Sequence, residues 1–233
     1  MIPYKFLRKW FDDYEIKARL IPGIISCLPF VFLGLTVPKE WYSKVSLLLG
    51  ESLIFIAFSK TIMGFVQAAG NKYQDRIKQE WKGLPSTRFL RENDQKYSID
   101  FKYKFAAAAK RKLNIDTDIH DNQSIDTVFS AIRTYLHKYA KDDKWQIYNM
   151  EYGFHRNLCG LRPWLIISHL TALLIYLVLV YFKLTTPSPA MFLLWAAIFM
   201  LFLLISFTSP NSCKTNAEHY ADKAIMTFYE LAK

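Results

Sequence analysis

The chain is poor in cysteine, with three in 233 residues. Cys27, Cys159 and Cys213 are odd in number and show no CxxC spacing. Neither a disulfide framework nor a thiolate zinc site is indicated, and they fit a reducing cytosol and a membrane. Catalytic signatures are missing as well. HExxH, GxxxxGK[ST], GxSxG and the dinucleotide fingerprint are all absent, which removes the usual sequence carriers of zinc-protease, phosphate-loop, nucleophile-elbow and nicotinamide chemistry. No nucleophile–base pair is visible, so the chain reads as a non-enzyme without a cofactor. No strand pattern, glycine-rich repeat or low-complexity tract stands out.

Charge is missing in places, and those places organise the rest. The whole chain is 52% hydrophobic yet 21% charged, with a net charge of +10. Four windows, 20–37, 45–66, 163–182 and 189–207, are nearly free of charge. Each approaches the roughly 20 residues that an α-helix needs to cross about 30 Å of hydrocarbon. The last two, "PWLIISHLTALLIYLVLVYF" and "PAMFLLWAAIFMLFLLISF", contain no Asp, Glu, Lys or Arg. The first window is interrupted by Pro22, Gly23, Pro29 and Gly34, which a span tolerates when neighbours satisfy the freed backbone groups. The second carries Glu51 and Lys60. The preceding basic residues give the first window a loose likeness to a secretory signal. Asp12, Asp13 and Glu15 interrupt them and no small-residue cleavage site follows, so it reads as an uncleaved span.

The expected fold is therefore all-α: a polytopic membrane protein in which two transmembrane hairpins, four spans, flank a helical domain. The expected segments are 1–19, the hairpin 20–69 around "PKEWYS", the domain 70–162, the hairpin 163–208 around "KLTTPS", and the C-terminal segment 209–233. Segment 1–19 has five Lys/Arg and 70–162 has eighteen, against two in turn 38–44 and one in turn 183–188. Positive charge stays on the cytoplasmic side, so the termini and the central domain are expected in the cytoplasm.

Within the central part, the second span is expected to run past Gly70 as one long helix and to end at "KGLPST", where Gly83 and Pro85 break it. Ser98 is a candidate N-cap for "SIDFKYKFAAAAKRKLNI", and Ser124 for the next helix. That helix carries an apolar stripe of Ile125, Val128, Phe129, Ile132, Leu136 and Tyr139. "KDDKWQIYNMEYGFHRNL" forms a further helix before Pro163. The C-terminal stretch from Pro210 begins with a turn and ends as an amphipathic helix.

Candidate site residues fall into three groups. Glu51, Phe55 and Ser59 lie at i, i+4 and i+8 on one face of the second span. An ionisable group in a span faces a bundle interior or water, so this is a candidate pore-lining stripe; an internal hydrogen-bonding role for Glu51, with Lys60 snorkelling to the interface, is equally readable. His169, with Ser168 and Thr171, reads as a helix–helix contact. Basic residues form two tracts: Arg88 and Arg91, then Lys102, Lys104, Lys110, Arg111 and Lys112 interleaved with Phe101, Tyr103 and Phe105. Cations with aromatic faces suit a single-stranded phosphodiester, although composition alone favours attraction to an anionic membrane surface or plain solvation. The acids around His120 in "DTDIHD" read as a solvated loop. Third, Glu151, Tyr152 and Arg156 lie within about one helical turn at the approach to the third span. They are expected to pack against "PSTRFLR" as a coupling element.

Two blocks, "WKGLPSTRFLREND" (81–94) and "NMEYGFHRNLCGLRPW" (149–164), resemble paired blocks of a four-span membrane family from bacterial anti-phage defence loci, among which the Hailong-type membrane effectors are nearest. Those blocks read like W-x-G-x-P-T-x-x-L-R and E-x-x-Y-G-F-x-R-N-L. Here Pro85-Ser86-Thr87 replaces the usual Pro-Thr-Thr, and Glu151-Tyr152-Gly153-Phe154 compresses the second block. The resemblance spans the region from the second span through the third. It implies an ion channel held shut by a short single-stranded DNA oligomer that a partner nucleotidyltransferase makes, opening on infection to depolarise the cell. Two to four spans do not enclose an aqueous path, so a pore requires a homo-oligomer, with a tetramer preferred. The alternative is a membrane-anchored helical module that docks a cytosolic toxin or sensor without forming a pore.

Overall fold

Helix is the only regular structure among the described residues. These are 4–34, 36, 51–140 and 144–233 of a computed structural model; the side chains of 4, 6 and 51–55 lie outside that description. In chain order the elements are α1 (Tyr4–Leu7), a π-helical segment (Glu15–Leu20), α2 (Ile21–Gly34), α3 (Glu51–Glu80), α4 (Pro85–Arg88), α5 (Ile99–Leu113), α6 (Asn122–Tyr139), α7 (Lys144–Tyr181) and α8 (Pro189–Leu231). The all-α expectation holds for these residues.

Among the described residues, three helices are long and apolar enough to cross a membrane: Glu15–Gly34, α7 and α8. The turn 38–43 and the start of the second window, 45–50, lie outside the described residues. The chain divides into two compact units, Met1–Tyr73 with Gly153–Pro210, and Gln74–Tyr152 with Asn211–Lys233. Each boundary falls inside a helix: α3, α7 or α8.

In the first unit, proline creates a problem that α7 solves. An α-helical carbonyl at position i is met by the N–H of residue i+4, and proline has none. Pro22 therefore leaves Ala18 without that donor, and the chain there is π-helical. The amide of Asn157, fully buried, donates to the Ala18 carbonyl at 2.5 Å. Arg156 fixes the other end of that amide, donating to Asn157 Oδ1 from Nε at 3.3 Å and Nη2 at 3.1 Å. Pro210 repeats the pattern. It leaves Ser206 without its helical donor, and the guanidinium of Arg162 donates to the Ser206 carbonyl. The sequence signal at Pro210 suggests a turn, yet α8 continues through it to Leu231. Pro163, expected to begin a span, lies inside the 38-residue α7.

Small residues let the helices approach closely enough for these bonds. A Cβ on Gly160 would stand 2.3 Å from the Ala69 carbonyl oxygen and 2.7 Å from the Gly70 nitrogen, so the α3 and α7 backbones touch there. A Cβ on Gly70 would stand 1.8 Å from Asn157 Oδ1. Outward, α7 and α8 expose Leu170, Leu174, Leu193, Met200, Leu204 and Phe207, a surface that suits lipid and would be costly in water.

In the second unit, α3 ends as expected, with Lys82 at φ 53° and Gly83 at φ 115° turning the chain into α4. Ser98 caps α5, accepting from the Phe101 N–H at 3.3 Å. The cap of α6 is Asp121 rather than Ser124, because its carboxylate accepts from both the Gln123 and Ser124 N–H groups at 3.1 and 2.9 Å. The Ser124 hydroxyl accepts instead from the Asp118 N–H at 2.9 Å. The α6 stripe is buried from Ile125 to Leu136, whereas Tyr139 is exposed. The last third of α8 supplies the other face of this core. Tyr220 packs with Phe129, Trp145 and Tyr152, and Phe228 with Phe105 and Tyr135.

The Gly160 contact yields a paired test. Gly160→Ala presses a methyl against backbone and is expected to cost about 1–3 kcal/mol. At Gly64 a Cβ meets nothing within 4 Å, so Gly64→Ala is expected to be neutral or to stabilise by about 0.5–1 kcal/mol. Thermal unfolding in detergent checks both.

Candidate functional site

A lysine is nearly always found at a surface, because burying an ammonium without partners is very costly. Lys102 is 1% exposed. Its position on α5 aims it under the loop that follows α4, where it donates to the carbonyls of Arg91 at 2.5 Å, Glu92 at 3.2 Å and Asp94. Burial pushes its pKa below the ordinary lysine value, and the charges of Asp94 and Glu92 oppose that shift. Three carbonyls take its three protons, so Lys102 is a staple of loop 91–94. This corrects its assignment as a ligand contact: it presents nothing to solvent.

The neighbouring arginines are engaged too. Arg88 pairs through Nε with Asp94 at 3.3 Å and through Nη2 with Glu218 at 3.2 Å. Arg91 donates to Asn122 Oδ1 and to the Lys82 carbonyl, each at 2.5 Å, and lies where a side chain on Gly83 would clash. Beside them, Tyr97 donates its hydroxyl to Asp222 at 2.7 Å, and burial together with that carboxylate raises its pKa. These contacts tie loop 91–97 to α8 within the second unit.

The remaining cations line the open side of α5. Lys104 and Lys110 are exposed; they pair loosely with Asp100 at 3.8 Å and more closely with Asp116 at 2.7 Å. Arg111 donates to the carbonyls of Ala232 and Lys233. Lys112 sits 5.9 Å over the Tyr135 ring. Of the three interleaved aromatics, Phe105 is buried against Phe228, and Phe101 packs on Tyr97 and Tyr229. Tyr103, 54% exposed, alone presents its ring. The i, i+1, i+7 and i+8 positions put Tyr103, Lys104, Lys110 and Arg111 on one solvent-facing strip.

An open cleft of about 690 Å³ lies between the end of α3, α4 and the start of α6. Its polar groups are largely satisfied by one another: Asp126 accepts from the Thr87 hydroxyl and from Lys78 at 3.0 Å, and Arg91 is held as described. The acids near His120 are likewise occupied, Asp121 as the α6 cap and Asp118 as acceptor of the His120 N–H at 2.8 Å.

Of the expected pore-lining stripe, Ser59 is 1% exposed and packed inside its own chain. The side chains of Glu51 and Phe55 lie outside the described residues. Lys60 pairs with Glu15 at 3.5 Å and lies 4.9 Å over the Phe11 ring. Of the coupling set, Glu151 is exposed, Tyr152 donates to Gln74 Oε1 at 3.2 Å and stacks on Tyr220, and Arg156 holds Asn157. Asn157 and Arg162 are the residues that sequence reasoning missed. The spacing of Pro22 and Pro210 marks which carbonyls need donors, but not which helix supplies them.

No family model, curated protein or solved structure matches this chain. The site therefore stands on its own geometry.

The staple role of Lys102 separates structure from binding. Lys102→Met is expected to lower the stability of the protein by about 1–3 kcal/mol, as the loop carbonyls lose their donors. Thermal unfolding checks this, and an unchanged midpoint would contradict the staple.

Proposed function

We propose that the chain is a ligand-gated ion channel of the bacterial inner membrane, assembled from several copies, four preferred. In this reading the four expected windows all span, and the termini and the second unit lie in the cytoplasm. The ligand is a short single-stranded oligonucleotide. It binds on the α5 strip, where Lys104, Lys110 and Arg111 meet phosphates and Tyr103 stacks a base. Of the other expected ligand cations, Arg88 and Arg91 are engaged within the domain and Lys112 lies over the Tyr135 ring. Glu51 and Phe55 face the ion path.

The observation that carries the reading is the position of the unit boundaries. They fall inside α3, α7 and α8, so the apolar helices and the domain bearing the strip are the same continuous helices. A ligand that favours one arrangement of the domain then biases the membrane helices through differential affinity for two states. The resemblance to anti-phage effectors gives that ligand a source, a partner nucleotidyltransferase, and gives the open state a role in depolarising an infected cell. A second reading, the membrane-anchored module without a pore, draws support from the internal engagement of Arg88, Arg91 and Lys102, which leaves fewer cations for phosphate.

Purified protein in liposomes loaded with an ion-sensitive dye separates the two. The channel predicts ion flux that a short single-stranded DNA suppresses. Lys110→Ala with Arg111→Ala is expected to weaken that suppression and to flatten the salt dependence of binding. Silent liposomes and a monomer in detergent would establish the anchored module instead.

A further inference from the structure

Among the described residues, α7 and α8 of the first unit carry several buried polar atoms without a hydrogen-bond partner; besides Arg162 Nε and Ser206 Oγ near the Pro210 contact, three lie together further along the two helices. They are His169 Nδ1, Tyr176 Oη and Trp195 Nε1. The residues are 4%, 0% and 3% exposed. His169 and Tyr176 are seven residues apart, two turns along one face of α7 and roughly 10 Å in rise. Trp195 on α8 faces both, with its ring centroid 5.4 Å from that of His169 and 6.3 Å from that of Tyr176. Among the described residues, Phe199, Phe202, Leu33 and Ala172 pack beside them, and none of these four offers a polar side chain. Buried polar atoms are nearly always satisfied, and a run of three on one seam calls for a partner.

We infer that this seam is an intramembrane hydration site: a short file of water molecules lies between α7 and α8, anchored by His169, Trp195 and Tyr176. Water is the ligand because the three groups are mixed in character. The indole only donates, the phenol donates and accepts, and the neutral imidazole does one or the other at each nitrogen. A dissolved cation would leave the indole N–H opposed to a positive charge, and an anion would find no cation here. Water meets each group in turn, as buried waters do where about three polar contacts are on offer. The inference stands on α7 and α8 alone and is independent of the channel reading.

The sign of one substitution tests it. Tyr176→Phe deletes a single oxygen and keeps the ring. An orphaned hydroxyl costs stability, so its removal would raise the unfolding midpoint. A hydroxyl that anchors water leaves that water short of a partner when removed, and the midpoint falls. We expect a midpoint lowered by a few degrees in detergent. In the parent protein, we expect magnetisation transfer between water and the Trp195 indole N–H, assigned by its loss in Trp195→Phe. A raised midpoint, or an indole N–H that shows no transfer and resists exchange for days, would overturn the site. Where the two readouts disagree, or Tyr176→Phe does not fold, the indole signal in the parent protein decides.

Discussion

In an apolar surrounding every backbone carbonyl needs a donor, and proline removes one at a fixed distance up the chain. The first unit answers this twice with the same helix. Asn157 serves the Ala18 carbonyl that Pro22 leaves open, and five residues later Arg162 serves the Ser206 carbonyl that Pro210 leaves open. Because those two side chains reach helices on different sides, α7 becomes the element to which the N-terminal helix and α8 are both fastened. The glycines follow from that role. Gly70 and Gly160 admit the side chain of Asn157 and the backbone contact without which the amide would not reach.

This arrangement explains how charge can sit at the threshold of an apolar run. Arg156 and Arg162 look, from position alone, like cations held at a membrane surface. In the structure Arg156 is 9% exposed and orients Asn157, while Arg162 is half-buried and caps a carbonyl. The same economy appears in the second unit, where Lys102 gives its whole ammonium to a loop. A basic tract read from composition thus divides into cations that build the domain and an exposed outer strip on α5.

Much of the architecture was legible in the sequence because it rests on local pattern. Three of the four charge-poor windows mark apolar helices among the described residues, the α6 stripe marks a core face, and Gly83 and Pro85 mark the end of α3. The misreadings share a cause. Pro210 as a turn and Pro163 as a helix start follow from the usual meaning of proline; at Pro210 that meaning fails because a distant side chain supplies the missing donor, and Pro163 simply lies inside a continuous helix. Ser124 lost the cap to Asp121 because a carboxylate three residues earlier takes two N–H groups at once. The burial of Lys102 and of Ser59 was not legible because it depends on which neighbours fold over a residue, and spacing along one helix does not contain that. The seam of His169, Tyr176 and Trp195 joins two helices and is visible only once they are side by side.

The central claim is that Arg162 is required because Pro210 exists. A double-mutant cycle on Arg162→Leu and Pro210→Ala, read by thermal unfolding in detergent, tests it directly. Restoring an N–H at position 210 gives the Ser206 carbonyl its helical donor, so the loss of Arg162 should then cost much less than in the parent protein, with a coupling of about 1 kcal/mol or more. Additive effects of the two substitutions would contradict the account.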